Sequence, residues 1–395
     1  MSQSKQQSKS NSEGSAAINF NEGKVNPPKS DQSIRLVSID ALRGFDMLLI
    51  AGGGAFISLL ENQTGFVWID WIAGQLKHPA WDGFTFYDFI FPLFLFIAGV
   101  SMAFSLNKGL EKGLSKADLY RKAFWRMLLL VILGIFDKNQ PVTFFDPAHI
   151  RVASVLGRIG FAGFFATLLY LNYSLNKRIL WAFGILLAYY AALFLIPVPG
   201  FGAGNLSMEG NLVGWFDRNF LPGRLLQKIY DENGLLTQLP ALCLTIFGSM
   251  AGDLLRSDKK DNIKLLYLIL AGLTGIVLGL IWSLHFPINK HLWTSSFILL
   301  TSGMAFCFVS LFYYIIDILN YRKWAFFFVV IGMNSLLIYM AYHFIDFAHT
   351  SHAIFAGLYD PLPEQFHPAL EALGALALVW SMMYFLYRKK IFVKI

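Results

Sequence analysis

The chain has 395 residues, 56% of them hydrophobic and only 14% charged, and a mean hydropathy of +0.52. A soluble protein of this size is neither so apolar nor so poor in charge, so lipid is the expected solvent. The net charge of +7 gathers at segment ends on one side, which assigns it to an anionic inner lipid surface and leaves nucleic acid without a role as partner.

Residues 1–34 are rich in Ser, Gln, Asn and Lys and contain no apolar run, so they read as a disordered cytoplasmic tail and not as a cleaved signal peptide. Residues 35–395 read as one transmembrane domain. Its apolar runs lie near 42–60, 85–106, 121–137, 150–172, 179–196, 238–255, 264–284, 293–316, 324–343 and 369–387. Each has about the length that a helix needs to cross roughly 30 Å of hydrocarbon. The expected fold class is all-α, a polytopic transmembrane helical bundle of about 10 spans. A β-barrel would show shorter, alternating segments. Lys and Arg concentrate before the first run, at Lys108, Lys112, Lys116, Arg121 and Lys122, at Lys259 and Lys260, and at Arg388, Lys389 and Lys390, which places both termini in the cytoplasm.

In chain order, the first run opens with Asp40, Arg43 and Asp46 and then carries Ala51-Gly52-Gly53-Gly54-Ala55, where a ligand tail or another helix can press close. The loop after it presents Lys77-His78-Pro79-Ala80-Trp81-Asp82-Gly83, with Asp88 just inside the second run. Asp82 and Asp88 are near enough in sequence to orient one imidazole nitrogen of His78 while the other takes a proton, which suits a general base at a membrane face. An aromatic belt of Trp68, Trp71 and Trp81 with one more polar interface residue is the plainer reading of that loop. Lys122 and Arg126 open the third run, Arg158 lies in the fourth and Asn334 in the ninth. Ionisable groups inside hydrocarbon default to interior roles, so Arg43, Lys122 and Arg126 are candidate phosphate ligands near the inner mouth. An Asp40–Arg43 pair that only locks helices is equally compatible with the pattern.

The longest outer loops are 197–237 and 344–368, and Pro197-Val198-Pro199-Gly200-Phe201-Gly202 in the first is either a lid or a surface crossover. Cys243 and Cys307 fall in different runs and are expected to be free, buried thiols. All eight histidines fall in outer loops or at outer ends of runs. Their local pairs, His285 with His291 and His349 with His352, lack a third ligand, so no metal is expected.

Several motifs carry a resemblance that covers almost all of residues 35–395 in one order. They are Arg35-Leu36-x-Ser38-x-Asp40-x-x-Arg43-Gly44, Lys77-His78-x-x-Trp81-x-Gly83, Asp88-x-x-Phe91-Pro92 and Pro197-Val198-Pro199-Gly200. Pro287-x-Asn289-Lys290-x-Leu292-Trp293, Gly332-Met333-Asn334-Ser335 and Tyr387-Arg388-Lys389-Lys390-Ile391-Phe392 complete the set. Together they resemble the membrane acetyltransferase family typified by lysosomal heparan-alpha-glucosaminide N-acetyltransferase. The resemblance implies transfer of acetyl from cytoplasmic acetyl-CoA to the amine of a glucosamine-type sugar, or heparan-like glycan terminus, on the far side of the membrane. His78 matches the active histidine, Asp40 and Asp88 the first- and second-span aspartates, Asn289 and Lys290 the outer Asn-Lys pair, and Asn334 and His343 the late-span Asn and His.

The site expected on these grounds has His78, Asp88 and Asn334 as catalytic residues and Asp40, Arg43, Lys122 and Arg126 around the donor. Asp82, Asn289, Lys290 and His343 would meet the acceptor. The short amino-terminal tail, where the lysosomal member has a lumenal domain, fits a bacterial inner-membrane protein. Expected partners are acetyl-CoA, an amino sugar, membrane lipid and, as a homodimer, a second copy of the chain. Direct transfer and an acetyl-histidine relay both stay open. A flippase-like carrier of sugars or glycolipids would account for the spans and buried charge equally well, but not for the outer His and Asp residues.

Overall fold

The computed structural model describes residues 36–141 and 146–393, so the expected disordered tail lies outside the described residues. Helix α1 (Val37–Leu48) begins the bundle. It passes into a π-turn at Leu49–Gly53, where Ala51 leaves helical geometry and Gly52 takes φ +86°, before the short α2 (Ala55–Ser58). The expected run at 42–60 is therefore a broken element, because consecutive glycines let the backbone turn where a side chain would hold it helical. A Cβ on Gly52 would meet the Tyr342 ring only at an ordinary 3.5 Å, so this glycine is needed for its φ of +86° and not for close packing.

The short, largely apolar α3 (Val67–Gln75) exposes Trp68 and Trp71 and leads to the loop carrying His78. Helix α4 (Phe86–Glu111) then crosses the bundle. Its start is fixed by Thr85 and Asp88, which form a reciprocal capping box. A short turn returns the chain into α5 (Lys116–Lys138), capped by Ser115 and Asp118 in the same way. Next come α6 (Val155–Asn172), α7 (Leu175–Leu195), α8 (Leu212–Phe220), α9 (Gln238–Arg256) and α10 (Asp261–Ser283). Helix α11 (Ser295–Phe312) runs on through a π-turn to Ile318. The chain ends with α12 (Ala325–Gly332), α13 (Ser335–Phe344), α14 (Phe347–Tyr359) and α15 (His367–Arg388).

Among the described residues, seven helices are long and apolar enough to span a membrane, or eight if the α12–α13 pair, bent by 71°, is one span. The protein is an all-α polytopic membrane protein. Helix α5 has the length of a span, 23 residues, but carries Lys116, Asp118, Arg121, Lys122, Arg126, Asp137 and Lys138. Asn334 stands at the break between α12 and α13 and not inside a continuous helix. Two segments expected from the sequence to be outer loops hold helices, α8 and α14. The Pro197–Gly202 segment is a closed turn, with Val198 and Gly202 exchanging backbone hydrogen bonds of 2.8 and 2.9 Å and the Val198 side chain buried.

Helices α4, α9 and α11 form the buried centre, whereas α10 turns Leu266, Leu270, Leu273, Val277 and Ile281 outward, as a lipid-facing helix does. Two glycine contacts set the spacing around α4 and α1. A Cβ on Gly248 of α9 would stand 2.0 Å from the Phe96 carbonyl oxygen, and one on Gly332 of α12 would stand 2.0 Å from that of Asp40. Backbones this close exploit the missing side chain, the usual route to tight helix packing in lipid. Both cysteines are free; Cys243 is buried and Cys307 only half-buried.

Candidate active site and donor cavity

His78 and Asp88 meet across the start of α4. The imidazole Nδ1 lies 2.6 Å from Asp88 Oδ1, and Oδ2 of the same carboxylate accepts the Thr85 backbone N–H at 2.9 Å. Asp88 is 1% exposed and His78 37%, so a fixed buried anion holds a ring that solvent can reach. The Nδ1 proton goes to Asp88, which leaves Nε2 as the proton-accepting nitrogen. Lys290 approaches from the loop before α11, with Nζ 2.9 Å from Nε2, 3.2 Å from Nδ1 and 3.7 Å from Asp88 Oδ1. Since Nδ1 is the donor to Asp88, only Nε2 can accept from the ammonium. Burial pushes the Lys290 pKa below the ordinary lysine value, against the opposing pull of Glu232 and Asp88. Tyr87 packs on the His78 ring at 4.8 Å between centroids.

The two loops that supply His78 and Lys290 are clasped together. Gly83 N–H donates to the Ile288 carbonyl at 3.0 Å, and Asn289 Nδ2 donates to Asp82 Oδ1 at 3.0 Å while its Oδ1 accepts from Leu292 N–H at 2.8 Å. Asn289 is fully buried, so its amide is taken up by the clasp. Asp82 serves the same clasp, and Asp88 alone of the two aspartates orients the imidazole.

A second carboxylate enters this site from the distant loop before α9. Glu232 Oε1 lies 3.0 Å from His291 Nδ1, and the His291 ring stacks on Trp81 at 5.3 Å and 6°. Tyr230 closes the group, its hydroxyl 3.1 Å from the same His291 nitrogen. Burial works against the Glu232 carboxylate, but the His291 hydrogen bond and the charges of Lys290, His291 and His78 outweigh it and bring the pKa down to about 2. Sequence reading missed Glu232, because 154 positions separate it from His78 and no local pattern marks it. Nearby, Arg151 grips Asp231 with two bonds of 2.8 Å, and burial raises the Asp217 pKa to about 6.

Toward the other end of α4 lies a cavity of about 480 Å³. Asp40 and Arg43 from α1, Ser101 from α4 and Arg126 from α5 supply its polar wall, and Phe91 marks its reach toward Asp88. Arg43 bonds Asp40 at 3.3 Å and also donates to the Ser101 hydroxyl. Arg126 has no hydrogen bond or ion pair among the described residues, and its side chain is open to the cavity. From Ser101 to Asp88 the α4 axis rises about 20 Å at 1.5 Å per residue. A bare guanidinium at this depth is costly without an anion to face it.

Lys122 lines a different cavity of about 710 Å³ between α4, α5, α6 and α9, which shares Arg126 with the first. Asn334 packs at the first cavity, where its Nδ2 donates to the Ile391 carbonyl at 3.0 Å and its Oδ1 accepts from Val393 N–H at 2.9 Å. It thus ties the carboxy-terminal segment across the α12–α13 break, with Phe392 and Val393 forming part of the cavity wall. His343 belongs to a further cluster, its Nδ1 3.1 Å from Asp137 Oδ1 and 2.8 Å from the Tyr339 carbonyl. Lys138 pairs with Asp137 at 2.9 Å, and the Tyr339 ring lines the same cavity as Arg43. The sequence-derived residues therefore divide among four places: His78, Asp82, Asp88, Asn289 and Lys290 at one end; Asp40, Arg43, Arg126 and Asn334 around the first cavity; Lys122 in the second; and His343 with Asp137. No group of three or more metal-ligating side chains occurs among the described residues.

No family model matches the chain. It is 27% identical to the heparan-alpha-glucosaminide N-acetyltransferase of Homo sapiens and 26% identical to that of Mus musculus, over 422 residues in each case. These alignments take in 91% of this chain and 60% of each relative, so the chain spans less than two thirds of the length of the curated relatives it matches. The protein is a membrane protein distantly related to these acetyltransferases.

Proposed function

We propose that this protein is a transmembrane N-acetyltransferase that moves acetyl from cytoplasmic acetyl-CoA to the amine of a glucosamine-type sugar on the extracytoplasmic side of an inner membrane. The observation that carries the reading is the pairing, along one helix, of an ordered His78–Asp88–Lys290 group with a cavity holding the unpaired Arg126. The relationship to named acetyltransferases supports the same chemistry. Arg43 and Arg126 bind donor phosphates, as guanidinium groups do in a bidentate manner, and the slender thioester arm runs along α4 past Phe91.

In the reaction His78 Nε2 takes a proton from the acceptor ammonium, and Asp88 stabilises the imidazolium that results. The freed amine attacks the thioester carbonyl, so a C–N bond forms and the carbonyl electron pair moves to oxygen. Lys290 lies beside this position and supplies a donor to the oxyanion. Collapse breaks the C–S bond as the imidazolium gives its proton to the leaving sulfur, and the neutral Nε2 so regenerated takes the second proton from the attacking nitrogen and passes it to solvent, leaving the neutral amide. Direct transfer is preferred over an acetyl-histidine relay because the cavity reaches Phe91, one helical turn from Asp88.

The accompanying topology has ten spans, counting the broken α1–α2 segment and the charged α5, with both termini cytoplasmic. Reporter fusions after Asn62, Asn172, Lys259 and Arg322 should read outside, inside, inside and inside, and an outside signal at either of the last two would overturn it. For the activity, purified protein given acetyl-CoA and glucosamine should release free CoA and form the N-acetyl sugar. Sugar uptake into vesicles without covalent change would replace the enzyme reading with that of a carrier.

A further inference from the structure

We propose that Glu232 forms an ammonium subsite that makes this protein selective for cationic primary amines, its Oε2 receiving the acceptor before His78 takes the proton. The inference rests on the transfer reading above and names what that reading leaves open, the group that recognises the acceptor.

Glu232 is held at both ends. Arg158 donates to its backbone carbonyl at 2.6 Å from a fully buried position over the Trp293 ring, and His291 holds Oε1 at 3.0 Å. Oε2 has no partner among the described residues, and the side chain is 21% exposed, so one fixed carboxylate oxygen faces open space. The other acids of this region are engaged: Asp231 by Arg151, Asp217 by the backbone N–H groups of Asp231 and Leu235, Asp82 by Asn289, and Asp88 by His78 and Lys290.

Its position beside the reacting imidazole follows from the chain. Lys290, whose Nζ is 2.9 Å from His78 Nε2, directly precedes His291, and His291 Nε2 lies 3.4 Å from the carbonyl of Pro79, next to His78. The charges of Lys290 and His78 both help to lower the Glu232 pKa, and Glu232 in turn pulls that of Lys290 up against burial. A carboxylate so firmly ionised is a poor base and a good counter-ion, so Glu232 binds the ammonium and leaves the proton for His78. The Trp81–His291–Tyr230 group makes this counter-ion rigid, which preserves the ammonium's position as its proton leaves.

The test compares glucosamine with hydroxylamine, an acceptor uncharged at neutral pH. Glu232→Gln should raise KM for glucosamine about tenfold or more while changing KM for hydroxylamine and CoA affinity by no more than about twofold. Glu232→Asp, which restores the charge, should recover part of the loss. Equal loss with both acceptors, or none with glucosamine, overturns the subsite and leaves the transfer reading standing. Wild-type protein that releases no CoA with any amine overturns the transfer reading itself. Should Glu232→Gln fail to fold, inhibition of the wild type decides: the cationic N,N-dimethylglucosamine should inhibit about tenfold more strongly than glucose, and equal inhibition rejects the subsite.

Discussion

At the His78 end of α4 nearly every charge has a partner, whereas the cavity along the middle of α4 holds Arg126 with none among the described residues. The first arrangement fixes geometry and protonation before any ligand arrives, as acid–base chemistry requires. In the second, on the proposed reading, the donor phosphates are the missing partner, and binding would supply an anion to face Arg126. On the proposed reading the contrast becomes a rule to test: groups locked by partners at the His78 end react, and Arg126, left without one, binds.

The sharpest test of the rule is at the paired end. His78→Ala should lower transfer by about 10³-fold or more, and Asp88→Asn by about 10²-fold, with calorimetric CoA affinity unchanged in both. Acid-quenched single turnover without acceptor adds a second readout, since label trapped on His78 would establish the relay route in place of direct transfer. At the unpaired end the effects should be smaller and fall on KM. Arg43→Gln and Arg126→Gln are each expected to weaken donor binding by about tenfold while kcat is kept, and unchanged CoA affinity in the double variant would remove both from the site.

A pH profile probes Lys290, which stands between the two behaviours. If its ammonium donates to the oxyanion, activity is present below its pKa and lost as pH rises through it. Burial lowers that pKa, so the alkaline limb of kcat should fall below the ordinary lysine range, and Lys290→Arg should move it upward. A limb that does not move would assign the loss to another group. The smallest effect is expected from Asn334→Ala, which unties Ile391 and Val393 and should raise donor KM by only about threefold, measured by steady-state kinetics.

The membrane class and most long helices were legible in the sequence, because a run of apolar residues about 20 long has few uses other than crossing lipid. The His78–Asp88 pair was legible for a local reason: ten positions of loop and first helical turn separate them, and the Thr85 cap folds that stretch back on itself. The break in α1 was hidden, since a glycine triplet serves both to pack helices and to unwind one, and only the backbone angles of Ala51 and Gly52 distinguish the two. Glu232 and the His343–Asp137 pair were hidden for another reason. Each is assembled from segments far apart in the chain, and side-chain periodicity carries no record of which loop will close over which. Arg43 and Lys122, grouped by charge and depth alone, line separate cavities that adjoin along Ala98, Arg126, Leu130 and Ile159.

The anchoring of Ile391 and Val393 by Asn334 bears on how the protein is handled at the bench. Phe392 and Val393 form part of the wall of the cavity that holds Arg43 and Arg126, so a load on the chain beyond Val393 acts on a segment that shapes the cavity. A bulky carboxy-terminal fusion should therefore mimic an inhibitor by pulling on the segment that Asn334 holds, and an amino-terminal tag is the one to use when donor affinity is measured.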